Sequence, residues 1–269
     1  MSRYAAMFER LAGSGDGAFG AFLMLGDPDL ETSARLLDAA VEGGADMIEV
    51  GIPFSDPVAD GPVIQASAER ALARGVRPAD AFALLSDFRR RHAQIPVGIL
   101  TYANLVVARG RDAFCRASSE AGADSLLVAD VPAFEAEPFA QSARAAGLDP
   151  VLIAAANTPK ATLERIARLG GGYTYCVARA GVTGAGESVH FDHRDMLDSL
   201  AEAGAPPPIF GFGISRPDHV EAALDAGAAG AISGSAIVRL VAEDAASAPD
   251  RVRRFVAEMK SATRRSSRI

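Results

Sequence analysis

The stretch GGADMIEV, residues 43–50, ends a helical segment with two glycines and begins an apolar strand at once. Glycine ends helices readily because it adopts left-handed backbone angles that other residues avoid. The same succession of helix, Ala/Gly-rich turn and apolar run returns in AGADSLLVAD (121–130), AAGLDPVLIAA (145–155), RLGGGYTYCVA (168–178) and AGAAGAIS (226–233). This recurrence predicts a chain built from repeated helix–strand units.

Eight apolar runs are the predicted strands, at residues 18–25, 47–51, 97–101, 125–130, 150–154, 173–178, 208–212 and 229–233. They are continuous rather than alternating, which is typical of strands buried on both faces. Eight such units in 269 residues predict an α/β fold, a single (β/α)8 TIM barrel over residues 1–269. A doubly wound open sheet is the alternative, weakened because the first strand–helix turn lacks G-x-G-x-x-G.

The two ends of the chain predict additions to the barrel. The first residues read as an extra amphipathic N-terminal helix. After Val241 the composition changes, which predicts a C-terminal helical extension, with a frayed basic tail from about residue 256 to 269.

Composition limits the class of function. The net charge of −7 and the lack of a basic stripe interrupted by aromatic residues argue against a nucleic-acid partner. Cys115 and Cys176 form no CxxC motif and are expected to be reduced. No apolar run has membrane-spanning length and the N-terminus lacks a signal-like apolar region, so a soluble cytoplasmic protein is expected.

Two acids stand where barrel enzymes place their chemistry, at the carboxyl ends of the strands. Glu49 lies in the second predicted strand, two residues before its end, and Asp60 lies in the following loop of EVGIPFSDPVADGP (49–62). A glutamate in an apolar strand is costly unless water, a partner or a ligand meets it. Asp56, before Pro57, reads more simply as a turn residue.

Glycines after the last two predicted strands indicate a phosphate site. FGFGIS (210–215) and ISGSA (232–236) expose backbone N–H groups at the barrel's usual phosphate position. The Gly-rich loop at residues 179–187 is a candidate lid. Together with the acids, these loops predict proton chemistry on a small phosphorylated molecule that the residues alone do not name.

The sequence resembles the alpha subunit of tryptophan synthase across nearly the whole barrel. The matching segments are EVGIPFSDPVADGPVIQ (49–65), ILTYANLV (99–106), LLVADVP (126–132), GYTYCVARAGVTGAGE (172–187), GFGISRPDHV (211–220) and AGAAGAISGSAIV (226–238). The resemblance implies retro-aldol cleavage of indole-3-glycerol phosphate to indole and glyceraldehyde 3-phosphate. It implies no metal and no organic cofactor in this chain.

The resemblance also implies roles for single residues. Glu49 would take the proton of the glycerol C3′ hydroxyl and relay a proton to indole C3. Asp60 would stabilise the indole N–H, staying ionised because its loop is mobile and wet. The implied substrate-binding residues are Phe22, Leu100, Leu127, Ile153, Tyr175, Thr183 and Phe212, and the implied phosphate-binding residues are Gly184, Gly213, Gly234 and Ser235. Thr183 would pair with Asp60, and the apolar residues could equally be plain barrel core.

The implied partner is a PLP-dependent beta subunit in an α2β2 tetramer, which receives the indole. Pro53, Asp56, Asn104 and Pro132 match the docking surface. A stand-alone lyase that releases free indole would share every catalytic residue. A sugar-phosphate epimerase or isomerase and a non-catalytic regulatory subunit are further alternatives. His190 and His193 are close in sequence but have no evident third ligand, so no metal is expected.

Overall fold

The computed structural model describes residues 1–177 and 193–264. In these residues the strands, all parallel, are β1 (Ala18–Met24), β2 (Met47–Gly51), β3 (Val97–Thr101), β4 (Ser125–Val128), β5 (Asp149–Pro150), β6 (Leu152–Ala155), β7 (Thr174–Val177), β8 (Pro208–Gly211) and β9 (Gly230–Ser233). The helices are α1 (Arg3–Ser14), α2 (Leu30–Glu42), α3 (Pro62–Ala73), α4 (Pro78–Arg91), α5 (Ala103–Ala108), α6 (Arg111–Glu120), α7 (Glu137–Ala145), α8 (Lys160–Leu169), α9 (Arg194–Glu202), α10 (Pro217–Asp225), α11 (Ser235–Glu243) and α12 (Ala248–Ser261).

The order of the strands makes the sheet a nearly closed barrel. The hydrogen-bonded sequence runs β5-β4-β3-β2-β1-β9-β8-β7-β6, so the strands at its two ends are neighbours in the chain. The predicted fifth strand is therefore two short ones: β5 pairs with β4, β6 pairs with β7, and Val151 lies between them. An open sheet would leave two edges unpaired. The barrel prediction is confirmed, with both extra helices in place.

The helices around the barrel bury apolar stripes in the layer between helices and strands. In α2 the side chain of Asp29 accepts a hydrogen bond from the Thr32 amide at 2.8 Å, which caps the first turn. Leu36, Leu37 and Ala40 follow at helical spacing and are buried in the layer between helices and strands. Burial of such stripes around the ring holds the outer layer of the barrel.

Strand alternation decides which side chains enter the barrel. Ile48 and Val50 belong to the outer layer, whereas Met47 belongs to the inner cluster. Because successive residues of a strand face opposite sides, Glu49 shares the inner face with Met47. From α1, Tyr4 joins this inner cluster and its hydroxyl is 2.9 Å from Ser125 Oγ at the start of β4. Helix α1 thus closes the amino-terminal end of the barrel.

The C-terminal helix continues beyond the predicted start of the frayed tail. Val252, Val256 and Met259 recur at helical spacing on α12, and all three are fully buried. The prediction of fraying from about residue 256 is wrong for 256–264, because this apolar face packs into the outer core. Residues 265–269 lie outside the described chain.

A buried carboxylate ties both termini to the barrel. Asp46 precedes β2 and accepts hydrogen bonds from Arg10 of α1 at 2.8 Å, Lys260 of α12 at 2.7 Å and the Phe19 amide of β1 at 2.9 Å. Asp124 repeats the device before β4, where it meets Arg3 of α1. The two acids end the Gly-Ala-Asp turns at residues 44–46 and 122–124.

We predict that Asp46→Ala lowers the free energy of unfolding by about 3 kcal/mol, because it removes the carboxylate that pairs with the Lys260 ammonium and leaves the buried Phe19 amide without its acceptor. Urea unfolding measures this difference. The control is Glu202→Ala, which breaks the exposed pair with Lys160 and should change stability by less than about 1 kcal/mol. Equal losses of unfolding free energy in the two variants would show that Asp46 contributes no more than an exposed ion pair.

Candidate active site

A cavity opens at the carboxyl ends of the strands and is lined by most of the predicted site residues. Its lining is Phe22, Glu49, Asp60, Ile64, Leu100, Tyr175, Phe212, Gly213, Ile232, Gly234 and Ser235. Nine of these were predicted from the sequence, while Ile64 and Ile232 were not. Leu127 and Ile153 do not line the cavity and lie in the inner apolar cluster of the barrel.

Glu49 lies inside the barrel and is only 1% exposed. The hydroxyl of Tyr173 donates a hydrogen bond to its Oε1 at 2.6 Å. Burial raises the pKa of Glu49 to about 7; the Tyr173 hydrogen bond lowers it, and the charge of Asp60 raises it further. A carboxyl group with a pKa near neutrality can both accept and release a proton.

Asp60 is held in place rather than exposed. It is 8% exposed, and the hydroxyl of Tyr102 donates a hydrogen bond to its Oδ2 at 2.8 Å. Burial raises the pKa of Asp60 to about 6, against the opposing effect of Tyr102. The expectation of a wet loop is wrong. The Asp60 amide donates a hydrogen bond to the Pro57 carbonyl at 3.0 Å, and in this turn the Asp60 side chain is buried in the barrel. Its pKa still leaves Asp60 mostly ionised at neutral pH.

Two tyrosines that donate hydrogen bonds to the acids were not among the site residues predicted from the sequence. Tyr173 stands two residues before Tyr175, and this spacing of two was the available signal that both side chains enter the barrel. Tyr102 follows β3, and its ring stacks on Phe54 with centroids 5.4 Å apart. A buried phenol requires a hydrogen-bond partner, and in both cases the partner is a cavity carboxylate.

The loops after β8 and β9 offer backbone donors to the cavity. Gly213 follows β8 in a left-handed conformation, with φ of 82°, and Gly234 and Ser235 follow β9. Helix α11 begins at Ser235, and no side chain caps its first turn. The partial positive charge of a helix N-terminus and its free amides suit an anion such as a phosphate.

The remaining predicted residues lie apart from the cavity or outside the described chain. Asp56, Asn104 and Pro132 are exposed, whereas Pro53 is buried in the isolated chain. Thr183, Gly184 and His190, together with the loop at 179–187, lie outside the described residues. Within residues 1–177 and 193–264, no group of three or more His, Cys, Asp or Glu could hold a metal ion. No helix in the same ranges is long and apolar enough to span a membrane.

A family model described as tryptophan synthase alpha chain matches residues 8–266. The chain belongs to the tryptophan synthase alpha chain family. The alpha chain of Shewanella oneidensis is 51% identical over 89% of this chain and 86% of its own length. The alpha chain of Klebsiella pneumoniae is 48% identical over 98% of this chain and 99% of its own.

Solved structures of the family agree. The tryptophan synthase subunit alpha of Legionella pneumophila superposes with a TM-score of 0.88 at 28% identity, covering 98% of each chain. A chain in the tryptophan synthase a2b2 complex of Pyrococcus furiosus superposes with a TM-score of 0.84 at 36% identity, covering 91% of this chain and 98% of that one. The resemblance seen in the sequence is confirmed. The chain is a lyase of tryptophan biosynthesis that cleaves indole-3-glycerol phosphate.

The raised pKa of Glu49 predicts a pH-dependent cost to stability. The folded chain holds this proton more tightly than the unfolded chain, whose pKa is 4.5, so stability falls as pH rises from about 4.5 through about 7. Glu49→Gln removes the ionisation and should raise the free energy of unfolding at pH 8 by about 3 kcal/mol relative to the native chain, with little difference at pH 4.5.

Urea unfolding of both proteins at the two pH values measures this gain. Glu69→Gln on α3, where the carboxyl is exposed, is the matched control and should leave stability unchanged at both. A Glu49→Gln variant that gains nothing at pH 8 would show that Glu49 ionises inside the barrel without cost.

Proposed function

We propose that Glu49 and Asp60 carry out the cleavage of indole-3-glycerol phosphate as a proton-transferring and a charge-stabilising carboxylate. The observation that supports this division is their sharing of one cavity with pKa values of about 7 and about 6. The neighbouring environments separate the two groups, since the more deeply buried acid is the weaker one.

Glu49 is suited to the protons of the reaction. Protonation of indole C3 makes the ring an electron acceptor, and removal of the C3′ hydroxyl proton then breaks the C3–C3′ bond. The bond electrons return to the ring, while the glycerol fragment leaves as the aldehyde glyceraldehyde 3-phosphate. A carboxyl group with a pKa of about 7 loses little driving force in either direction, and Tyr173 fixes one of its oxygens.

Asp60 is suited to the charge that develops on the ring. When indole C3 gains a proton, the ring nitrogen becomes cationic and its N–H a strong donor. An ionised carboxylate, held by the Tyr102 hydroxyl at 2.8 Å in a largely buried position, would stabilise that cation more than a solvated one. Because Asp60 is fixed before the charge appears, no loop reorganisation is required there.

The rest of the cavity would hold the two ends of the substrate. Phe22, Leu100 and Phe212, with the ring of Tyr175, form the apolar wall for the indole. Gly213, Gly234 and Ser235 would bind the phosphate, because the amides at the start of α11 can donate hydrogen bonds to an anion. Leu127 and Ile153 support the pocket from the core, and Thr183 and Gly184 stay predictions from the family resemblance.

We propose that the chain acts with a PLP-dependent beta subunit in an α2β2 tetramer. Val58, Val107 and Phe134 are 72%, 45% and 68% exposed. They follow β2, β3 and β4, which are adjacent in the barrel, so they share one rim with the predicted docking residues Asp56, Asn104 and Pro132. Clustered exposed apolar side chains mark interaction surfaces. Pro53 would support this rim from beneath.

A cytoplasmic location is proposed on the family resemblance and on the two cysteines. Cys115 and Cys176 are both buried free thiols. Burial raises the pKa of Cys115 to about 11 and that of Cys176 to about 12, so neither is a reactive thiolate at neutral pH. Such a pair suits a reducing compartment.

Glu49→Gln should lower the turnover of indole-3-glycerol phosphate roughly 100-fold or more and leave KM near the native value, because the amide keeps the shape but moves no proton. Indole release by the purified chain measures both constants. Glu69→Gln is the control and should behave as the native chain. Native turnover in the Glu49 variant would overturn its assignment, and a native chain that releases no indole would overturn the proposed reaction.

Adding a tryptophan synthase beta chain should raise indole release by the native chain strongly. Phe134→Asp should weaken this activation about tenfold or more, because a charge at an apolar contact must be desolvated on docking. The control Ala201→Asp places the same charge at an exposed position of α9 and should leave activation by the beta chain unchanged. Fast release that the partner leaves unchanged would identify a stand-alone lyase.

A further inference from the structure

We propose that His219 and Ser233, which do not line the cavity, are positioning residues that hold the loop after β8 in the conformation required for substrate binding. This inference rests on the proposed function, in which the loop supplies Phe212 to the indole and Gly213 to the phosphate. The loop is clamped from two elements, His219 from α10 and Ser233 from the end of β9.

The loop needs a clamp because its backbone is strained. Phe212 has a φ of 65° and Gly213 a φ of 82°, two consecutive residues in the left-handed region. Gly213 adopts this region freely, but a bulky residue such as Phe212 does so at a cost and only where its surroundings hold it. Among the described residues outside glycine, Phe212 alone has a positive φ.

Two buried side chains satisfy the carbonyls that follow this turn. Nδ1 of His219 lies 2.9 Å from the Gly213 carbonyl oxygen, and Ser233 Oγ donates to the Ile214 carbonyl at 2.7 Å. His219 is 4% exposed and Ser233 fully buried. The bond to Ile214 is buried and the bond to Gly213 is partly buried, so water does not readily replace these partners and the two contacts resist relaxation of the loop.

The surroundings of the imidazole select its role as a donor. Nδ1 is also 3.3 Å from the Ser215 amide, but it cannot donate to Gly213 and accept from Ser215 in the same tautomer. Nε2 is buried without a partner among the described residues. Among the described residues a proton on Nε2 would have no acceptor, whereas a proton on Nδ1 has the Gly213 carbonyl, so we assign the proton to Nδ1.

The clamp fixes both substrate-facing groups of the loop at once. The Phe212 ring meets the Tyr175 ring edge-on, with centroids 5.8 Å apart and planes at 90°, which forms one side of the apolar wall. Gly213 lines the cavity directly after it. Releasing the Gly213 carbonyl would allow the strained pair to relax and would misplace both groups. Glu49 and Asp60 come from β2 and its loop and would be unaffected.

His219→Leu should raise KM for indole-3-glycerol phosphate roughly tenfold and change kcat less than about threefold, because it removes one hydrogen bond to the loop. The same variant should weaken inhibition by glycerol 3-phosphate by a similar factor. His219→Asn restores a donor at the position of Nδ1 and should return both constants to within about threefold of native.

The matched control is Val220→Ala, on the same helix and fully buried in the outer core. It should lower stability without changing KM, which separates positioning from general loosening of α10. If His219→Leu does not fold, Ser233→Ala tests the second anchor and should raise KM in the same way.

A folded His219→Leu variant with native KM and native glycerol 3-phosphate inhibition would overturn the proposal. So would an Asn variant as impaired as the Leu variant. These outcomes are distinct from failure of the proposed function, since in that case the native chain itself would release no indole.

Discussion

The burial of the Glu49 carboxyl group inside the barrel is the constraint on which the site depends. A carboxylate at 1% exposure is costly to ionise, and the cost appears as a pKa of about 7. Its inward position on β2 is what brings this carboxyl group into the lining of the cavity. Tyr173 offsets part of the cost and Asp60 adds to it, so the pKa of Glu49 is a balance of its neighbours.

Stability and function are arranged at opposite ends of the strands. At the amino end, Asp46 and Asp124 have cationic partners and bind α1 to the barrel, and Asp46 binds α12 as well. At the carboxyl end, the acids Glu49 and Asp60 have tyrosine hydroxyls as partners and no cation among the contacts described. The acids paired with cations serve as structural contacts, whereas the two cavity acids meet only neutral donors and have pKa values that burial raises.

Backbone strain is also found at the carboxyl ends of the strands. The left-handed Phe212 lies at the carboxyl end of β8, where it completes the apolar wall, and its cost is met by contacts from α10 and β9. A relaxed loop would cost less free energy, but it would not place a large ring beside Tyr175 and a glycine in the cavity lining at consecutive positions. The remainder of the barrel supplies the rigidity that makes such a conformation tolerable.

The sequence by itself determined the barrel, since helix-ending glycines followed by apolar runs leave few ways to bury every strand, and it placed Glu49 and the Gly213 and Ser235 loops at the reactive end. Local patterns could not reveal contacts between residues distant in the chain. The tyrosine hydroxyls on Glu49 and Asp60, the burial of Asp60, the packing of Val256 and the clamp from His219 were therefore decided by the tertiary structure alone. Each of these features depends on which side chains the closed barrel brings together. Contacts between residues that are far apart in the chain leave no local pattern from which they could be predicted.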